Sequence, residues 1–308
     1  MHIERNMPAE IKKLIPDNPR VLIQGATGKE ALRAIPAMRS YGTTVVAGVT
    51  PGKGGQTVEG VPVFNTVREA IASEGSVNMV VQFVPPIRAL TATEESLEAG
   101  IPFILIGAEK VPVHDALRMV KMARAKGALL IGPSSVGMIV PRKGLKLGMI
   151  GGDTPTRTFS EGSIAVLSKS GGMTSEIAHL LKKSGLGVSF AAGLGGERIP
   201  GTDLADALII LEEDPSTEAS IIFGELGGVA EEHVARAVKE GAIKKPVVSF
   251  TVGEFVSLLP HAMPFGHTGA MLERGKGGVK EKRALLKEAG VLVAEKFDDI
   301  PKLLAGVL

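Results

Sequence analysis

The chain has 308 residues, with 35 Lys and Arg against 33 Asp and Glu, and no cysteine. A net charge of +2 offers no field for nucleic acid or an anionic membrane, and the lack of thiols excludes disulfides, thiolate metal sites and a cysteine nucleophile. No apolar run approaches the roughly 18 residues that span a bilayer, and the first twenty residues lack the apolar core of a signal peptide. A soluble, cytoplasmic protein is expected, long enough for two domains. Thirty-nine glycines beside a single tyrosine and no tryptophan point to turns that hold ligands with backbone groups, and away from a stacking platform for bases.

The first half alternates strands and helices. An apolar run over 19–24 opens into Gly25-Ala26-Thr27-Gly28-Lys29-Glu30, a helical pattern of Ala31, Leu32, Ile35 and Met38 runs to Gly42, and a second strand follows over 43–49. Strand, glycine turn, helix and strand within about thirty residues is a βαβ unit whose turn sets backbone N–H groups and a helix N-terminus against an anion. Ala31 takes the place of the third glycine, so the dinucleotide fingerprint is partial. A nicotinamide site wants a carboxylate after the second strand; here Val49-Thr50-Pro51-Gly52-Lys53-Gly54-Gly55 supplies a lysine, which suits a phosphorylated ribose such as that of NADP or coenzyme A. Strands over 77–83, 102–106 and 128–131 end at Val84-Pro85-Pro86, Gly107-Ala108-Glu109 and Gly132-Pro133-Ser134, with helices over 89–99 and 115–126 between them. Strand ends rich in Gly, Pro and small polar residues mark the ligand edge of an open parallel sheet.

Residues 141–161 break the periodicity and read as a connection between a first domain, 1–140, and a second, 162–308. The second starts with a strand over 162–167, which turns through Ser168-Lys169-Ser170-Gly171-Gly172 into a helix over 173–183, with Ser170 and Glu176 placed as in a capping arrangement. Strands follow over 186–193, 219–223, 245–252 and 291–294, and helices over 203–212, 230–240, 280–289 and 300–308. Glu225 and His267 both follow strands at the carboxyl edge of this sheet. His267 sits between glycines in Pro264-Phe265-Gly266-His267-Thr268-Gly269-Ala270, where neutral imidazole is a good nucleophile toward phosphorus, and a nearby carboxylate would fix its tautomer. No His/Asp/Glu grouping has metal-ligand spacing and no Gly-x-Ser-x-Gly elbow is present.

Five motifs, in this order and spacing, carry a resemblance: Gly-Ala-Thr-Gly (25–28), Val-Thr-Pro-Gly-Lys-Gly-Gly (49–55), Val-Pro-Val-Phe-Asn-Thr-Val (61–67), Gly-Glu-Leu-Gly-Gly (224–228) and Gly-His-Thr-Gly-Ala (266–270). From about Val21 to Leu308 the chain resembles the alpha subunit of succinyl-CoA synthetase, in the acid–CoA ligase superfamily that includes ATP-citrate lyase. The resemblance implies an N-terminal Rossmann-like CoA-binding domain followed by a flavodoxin-like doubly wound ligase domain. It implies that His267 is phosphorylated in turnover and that Glu225 orients it. It also assigns Gly25, Thr27, Gly28, Lys29, Glu30, Lys53, Pro85, Gly107, Ala108 and Glu109 to coenzyme A, and the helix start Ser170-Gly171-Gly172 to phosphate. A beta subunit with an ATP-grasp fold is implied as partner, holding most of the ATP or GTP and its Mg.

The sequence also departs from the succinate pattern. Ser175 replaces a tyrosine that contacts the acid, Gly132-Pro-Ser-Ser-Val-Gly137 replaces Gly-Pro-Asn-Cys-Pro-Gly, and Arg198 replaces a proline. Together with the Gly-Gly-Met helix start and Phe265-Gly-His267, these look more like the citrate-using branch, whose citrate-synthase-like domain this chain does not contain. The expectation is therefore a succinate–CoA ligase alpha subunit. Alternatives are a citryl-CoA synthetase or ATP-citrate lyase component, a non-catalytic CoA- or NADP-sensing protein in which His267 is dispensable, and an NADP-dependent dehydrogenase, which lacks a hydride-site constellation.

Overall fold

Two seven-stranded sheets, each flanked by helices, make up the computed structural model, which describes residues 11–254 and 278–308. In the first sheet the chain runs β1 (Val21–Gln24), α2 (Lys29–Tyr41), β2 (Val45–Val49), β3 (Thr57–Val58), β4 (Val61–Phe64), α3 (Val67–Glu74), β5 (Met79–Gln82), α4 (Ala89–Glu98), β6 (Phe103–Ile106), α5 (Val113–Ala125) and β7 (Leu129–Ile131), after a short α1 (Ile11–Leu14). The strand order is β3-β4-β2-β1-β5-β6-β7, parallel except for the β3–β4 hairpin. β1, β5 and β6 are buried along their whole length. Continuous apolar runs are what a parallel sheet covered on both faces requires. α2 presents Ala31, Ala34, Ile35 and Met38 to the sheet and ends on Gly42, whose left-handed φ of 119° returns its N–H to Arg39 O.

The second sheet contains β8 (Gly137–Val140), β9 (Leu145–Gly148), β10 (Glu161–Ser168), β11 (Val188–Gly193), β12 (Ala219–Glu225), β13 (Val247–Val252) and β14 (Leu292–Val293), in the order β14-β13-β12-β10-β11-β8-β9. Its helices are α6 (Gly171–Lys183), α7 (Leu204–Leu211), α8 (Ala230–Lys239), α9 (Val279–Glu288) and α10 (Ile300–Ala305). β8 runs antiparallel to both β11 and β9. Strands of this sheet therefore begin at Gly137, and the stretch over 141–161 read as a connection contains β9. Its lysine hides it: in Leu145-Lys146-Leu147-Gly148 the charged residue interrupts an otherwise apolar run, yet all four residues are buried. The strands β3 and β4 and the helix α3 also go beyond the sequence-based elements.

In each sheet the central strand is a switch point. From β1 the chain moves first to β2 on one side, then to β5 on the other; from β10 it moves to β11, then to β12. Crevices open at the carboxyl ends of such strand pairs. The sequence segments there are Gly25–Gly28 with Phe83–Pro86, and Ser168–Ser170 with Glu225. A single cluster of buried side chains runs from Ile35 and Met38 of α2 through Leu145 and Leu147 of β9 to Leu208 of α7. Thr43 locks the same junction, donating from Oγ1 to Lys146 O at 2.8 Å and accepting from Lys146 N at 2.9 Å. No helix among the described residues is long and apolar enough to cross a membrane.

Lys146 itself has no solvent exposure and donates from Nζ to Gly148 O at 2.9 Å. Burial lowers its pKa to about 8, with Asp153 pulling the other way. The folded state thus binds this proton less tightly than the unfolded chain, so the charge destabilises the fold below about pH 8 and the penalty disappears as the group deprotonates above it. Lys146→Met is expected to raise stability at pH 7 by about 1–2 kcal/mol, after allowing for the lost bond to Gly148 O. The advantage should shrink by pH 10, as read from denaturant midpoints across that range.

Candidate functional site

The first crevice is built on glycines that the backbone needs. Gly25 leaves β1 with φ +78°, and a Cβ there would lie 2.6 Å from Phe83 O. Its carbonyl accepts from Gly28 N at 2.9 Å, which closes the turn and opens α2. Gly28 is the N-cap and offers no side-chain acceptor, so the first-turn N–H groups of α2 remain for a ligand. Thr27 contacts Thr50 Oγ1 through both N and Oγ1 at 3.4 Å, tying this turn to the end of β2. Lys29, Glu30 and Lys53 are exposed at the same sheet edge.

The Lys53 loop owes its shape to a residue that sequence reasoning placed only within a motif. Asn65 Oδ1 accepts from Gly52 N at 2.9 Å and Gly54 N at 3.0 Å, so the loop curls around one amide with the lysine at its tip. Asn65 in turn donates its own N–H to Glu69 Oε2 at 3.0 Å. Beneath the crevice, Gln82 Nε2 donates to Gln24 Oε1 at 3.0 Å, and Gln24 Nε2 donates to Ala92 O and Glu95 Oε2. These last residues of β5 and β1 are buried, so their amides are satisfied internally. Pro85 is exposed beside them, and its carbonyl accepts from Arg88 N at 2.8 Å.

In the second crevice Ser168 closes the turn after β10. Its Oγ accepts from Ser170 N at 2.9 Å and donates to Ser170 O at 2.8 Å. Ser170 caps the 13-residue α6, accepting from Met173 N at 3.5 Å. Met173, and not Glu176, occupies the third helical position, so no reciprocal carboxylate completes the cap. A Cβ on Gly171 would strike Val136, whereas one on Gly172 would meet nothing nearer than Ser170 Oγ at 4.0 Å. One glycine is demanded by packing; the other leaves open space before the helix N-terminus.

The two crevices meet in a cavity of about 660 Å³. Glu30 and Gly107–Glu109 form one side, and Lys169 with Ser170–Gly172 the other. The loop over 132–137 bridges the halves. Ser134 N donates to Ala108 O at 2.8 Å, and Ser135 Oγ donates to Gly193 O at 2.6 Å. A second bridge runs from Lys110 N to Glu197 Oε1 at 2.6 Å. The geometry thus brings together Glu30, Gly107, Ala108, Glu109, Ser170, Gly171 and Gly172. Ser175, half-buried on α6, and Arg198, exposed beside Glu197, are not part of this wall.

Glu225 is the last residue of β12 and is buried. Its neighbourhood is organised by charges that sequence reasoning passed over. Glu231, in the first turn of α8, is wholly buried and lies 2.5 Å from Lys282 Nζ and 3.3 Å from Lys169 Nζ. Its Oε1 also accepts from Glu225 N at 3.2 Å. Burial pushes the Glu231 carboxyl up, but Lys169 and then Lys282 more than offset this and hold it below the usual carboxylate range. Gly224 explains itself here, because a Cβ would collide with Glu231 Oε1. Glu231 and Lys282 read in sequence as ordinary solvated helix residues, and only this glycine hints otherwise. His267, with the motif over 266–270, lies outside the described residues, as do His2 and His261.

Comparison with known proteins gives a consistent answer. A CoA binding domain model matches residues 17–110, and a model described as Succinyl-CoA ligase like flavodoxin domain matches 161–306. Succinate–CoA ligase [ADP-forming] subunit alpha 1 of Archaeoglobus fulgidus is 38% identical over 299 residues, covering 97% of this chain and 99% of that protein. An ADP-forming sulfoacetate-CoA ligase subunit of an Acholeplasma species is 37% identical over 288 residues, covering 92% and 94%. Among solved structures, ATP citrate lyase from Methanothrix soehngenii in complex with citrate and coenzyme A superposes with a TM-score of 0.86 at 26% identity, over 94% of this chain. The chain spans about half of that protein, 49%. With a CoA-binding unit, a flavodoxin-like ligase unit and full-length relatives at this identity, the chain belongs to the succinate–CoA ligase alpha-subunit family.

Proposed function

We propose that this chain is the CoA-binding, phosphohistidine-bearing subunit of an ADP-forming carboxylate–CoA ligase, with succinate as its first candidate acid. The observation that carries the reading is the shared cavity, where loops of the CoA-binding half face the N-terminus of α6 across one space. A thiol held by the first half and an acyl phosphate held by the second can react there without either leaving the protein.

In this reading Gly25, Thr27–Glu30, Lys53, Pro85 and Gly107–Glu109 bind coenzyme A. The first-turn N–H groups of α2 and the exposed ammonium of Lys53 suit its phosphates. Ser170–Gly172 hold phosphate at the start of α6, where the helix dipole favours an anion. His267 accepts a phosphoryl group from the nucleoside triphosphate and passes it to the substrate carboxylate, and the CoA thiol then displaces phosphate from the acyl phosphate. Glu225 positions the imidazole. The nucleotide and its Mg are held mainly by a beta subunit with an ATP-grasp fold, and the assembly works in the cytoplasm.

A second reading, a citryl-CoA synthetase or ATP-citrate lyase component, is favoured by the close superposition on ATP citrate lyase. Ser175 in place of a tyrosine leaves room near α6 for a larger acid, although neither it nor Arg198 lines the cavity. The sulfoacetate-CoA ligase relative widens the set of acids to test.

Incubated with its beta subunit and γ-labelled ATP, the chain is expected to acquire an acid-labile, base-stable phosphate that His267→Asn lacks. Discharge of that label by CoA with succinate, citrate or sulfoacetate identifies the acid; absence of label with a competent partner rejects the ligase reading. Gly25→Ala, which sets a Cβ against Phe83 O at a left-handed φ, should raise the KM for CoA at least about tenfold while leaving His267 labelling intact. Steady-state kinetics and labelling on the same preparation check both halves of that statement.

A further inference from the structure

The turn between β10 and α6 carries a cation for which the roles above have no use. Lys169 stands between Ser168 and the N-cap Ser170 and lines the cavity. Its one charged partner among the described residues is Glu231, 3.3 Å away. Glu231, however, is shared with a second lysine. Lys282 is equally buried, and its ammonium donates to Glu231 Oε2 at 2.5 Å, to Glu225 O at 2.8 Å and to Gly227 O. Those three acceptors account for all three of its N–H groups.

Two ammonium groups thus share one wholly buried carboxylate. A largely buried ammonium that shares its carboxylate partner is a favourable place for a further anion. Glu30 and Glu109, the carboxylates of the cavity wall, belong to the facing half, and neither forms an ion pair with Lys169. A Cβ on Gly228, at φ +61°, would lie 3.8 Å from Lys169 Nζ, so the ammonium sits beside the loop that follows β12. Lys169 is thus anchored by a carboxylate that it shares with Lys282, and it lines the same cavity as Ser170, Gly171 and Gly172.

We propose that Lys169 is a phosphate-binding residue, its ammonium steadied by Glu231 and presented to a phosphoryl group at the α6 end of the cavity. Its part in turnover, holding the phosphate of the acyl phosphate or the inorganic phosphate of the reverse reaction, rests on the ligase reading above. Its affinity for phosphate does not. A dianion fits better than a monocarboxylate, because it can meet both an ammonium and the first-turn N–H groups of α6.

The test is calorimetric titration of inorganic phosphate into the full-length chain assembled with its partner subunit. Wild type should bind phosphate, Lys169→Met should weaken binding about tenfold or more, and Lys169→Arg should stay within about threefold. The double variant Lys169→Met, Glu231→Gln guards against misfolding by removing the carboxylate as well, and should bind as weakly as Lys169→Met. In turnover of acyl-CoA with ADP and phosphate, the KM for phosphate should rise about tenfold in Lys169→Met while the KM for acyl-CoA moves less than about twofold. The proposal is overturned if wild type binds no phosphate, if Lys169→Met or the double variant binds it within about twofold of wild type, or if acetate shows the same dependence on Lys169. Phosphate binding that depends on Lys169, in an assembly with no ligase turnover, would reject the ligase reading and leave this site standing.

Discussion

Glu231 is a carboxylate with no access to water, and four parts of the second half converge to keep it charged. α8 carries it, the β10–α6 turn and α9 bring Lys169 and Lys282, and the end of β12 offers the Glu225 N–H. An unpaired charge at this depth would be untenable, so each of these parts is constrained by the others. The arrangement also lies at the switch point between β10 and β12, so the demand for a buried ion cluster coincides with the crevice that the topology opens. Removing either lysine's partner would loosen the loop that holds Glu225 as well as the helix itself.

The first half solves a similar problem without charge. Gln24 and Gln82 end the two central strands as buried amides, and Glu95 joins them while also accepting Val67 N at 2.7 Å. The floor of this crevice is therefore a closed hydrogen-bond network, which ties the body of α4 and the start of α3 to β1 and β5. The ligand-facing surface above it consists of glycine turns with little side-chain material. One half offers a rigid backbone surface and the other a charged one, and the cavity lies where they face each other.

Much of this is legible in the sequence, and the reasons are local. Strands such as Val21–Gln24 and Phe103–Ile106 are short apolar runs bounded by glycine or proline, a pattern that parallel pairing imposes. The turn at Gly25 is readable because only glycine tolerates its φ beside a carbonyl. β9 is hidden by a buried lysine, and β3 by being two residues long. The ion cluster is illegible for a deeper reason: Glu231 and Lys282 stand fifty-one positions apart in sequences that resemble solvated helix faces, and only the fold joins them. Ser175 and Arg198 show the converse. Sequence comparison identifies a substituted position, but whether that side chain reaches the cavity depends on helix rotation and loop direction, which no motif encodes.

The junction of the two halves has a consequence for how reactants meet. One core runs unbroken from α2 through β9 to α7, Thr43 holds Lys146 from both sides, and Ser134 and Glu197 pin the Gly107–Lys110 loop to the far half. Swinging the halves apart would tear a packed interior and expose buried polar groups, a far larger cost than any single ligand contact repays. The scaffold therefore behaves as a fixed bench. Transport between its stations falls to whatever is long and pliable on the ligand side. Distances between binding positions are set by the fold in advance, so a substrate arm of the wrong length would be rejected by reach alone, before any chemistry distinguishes it.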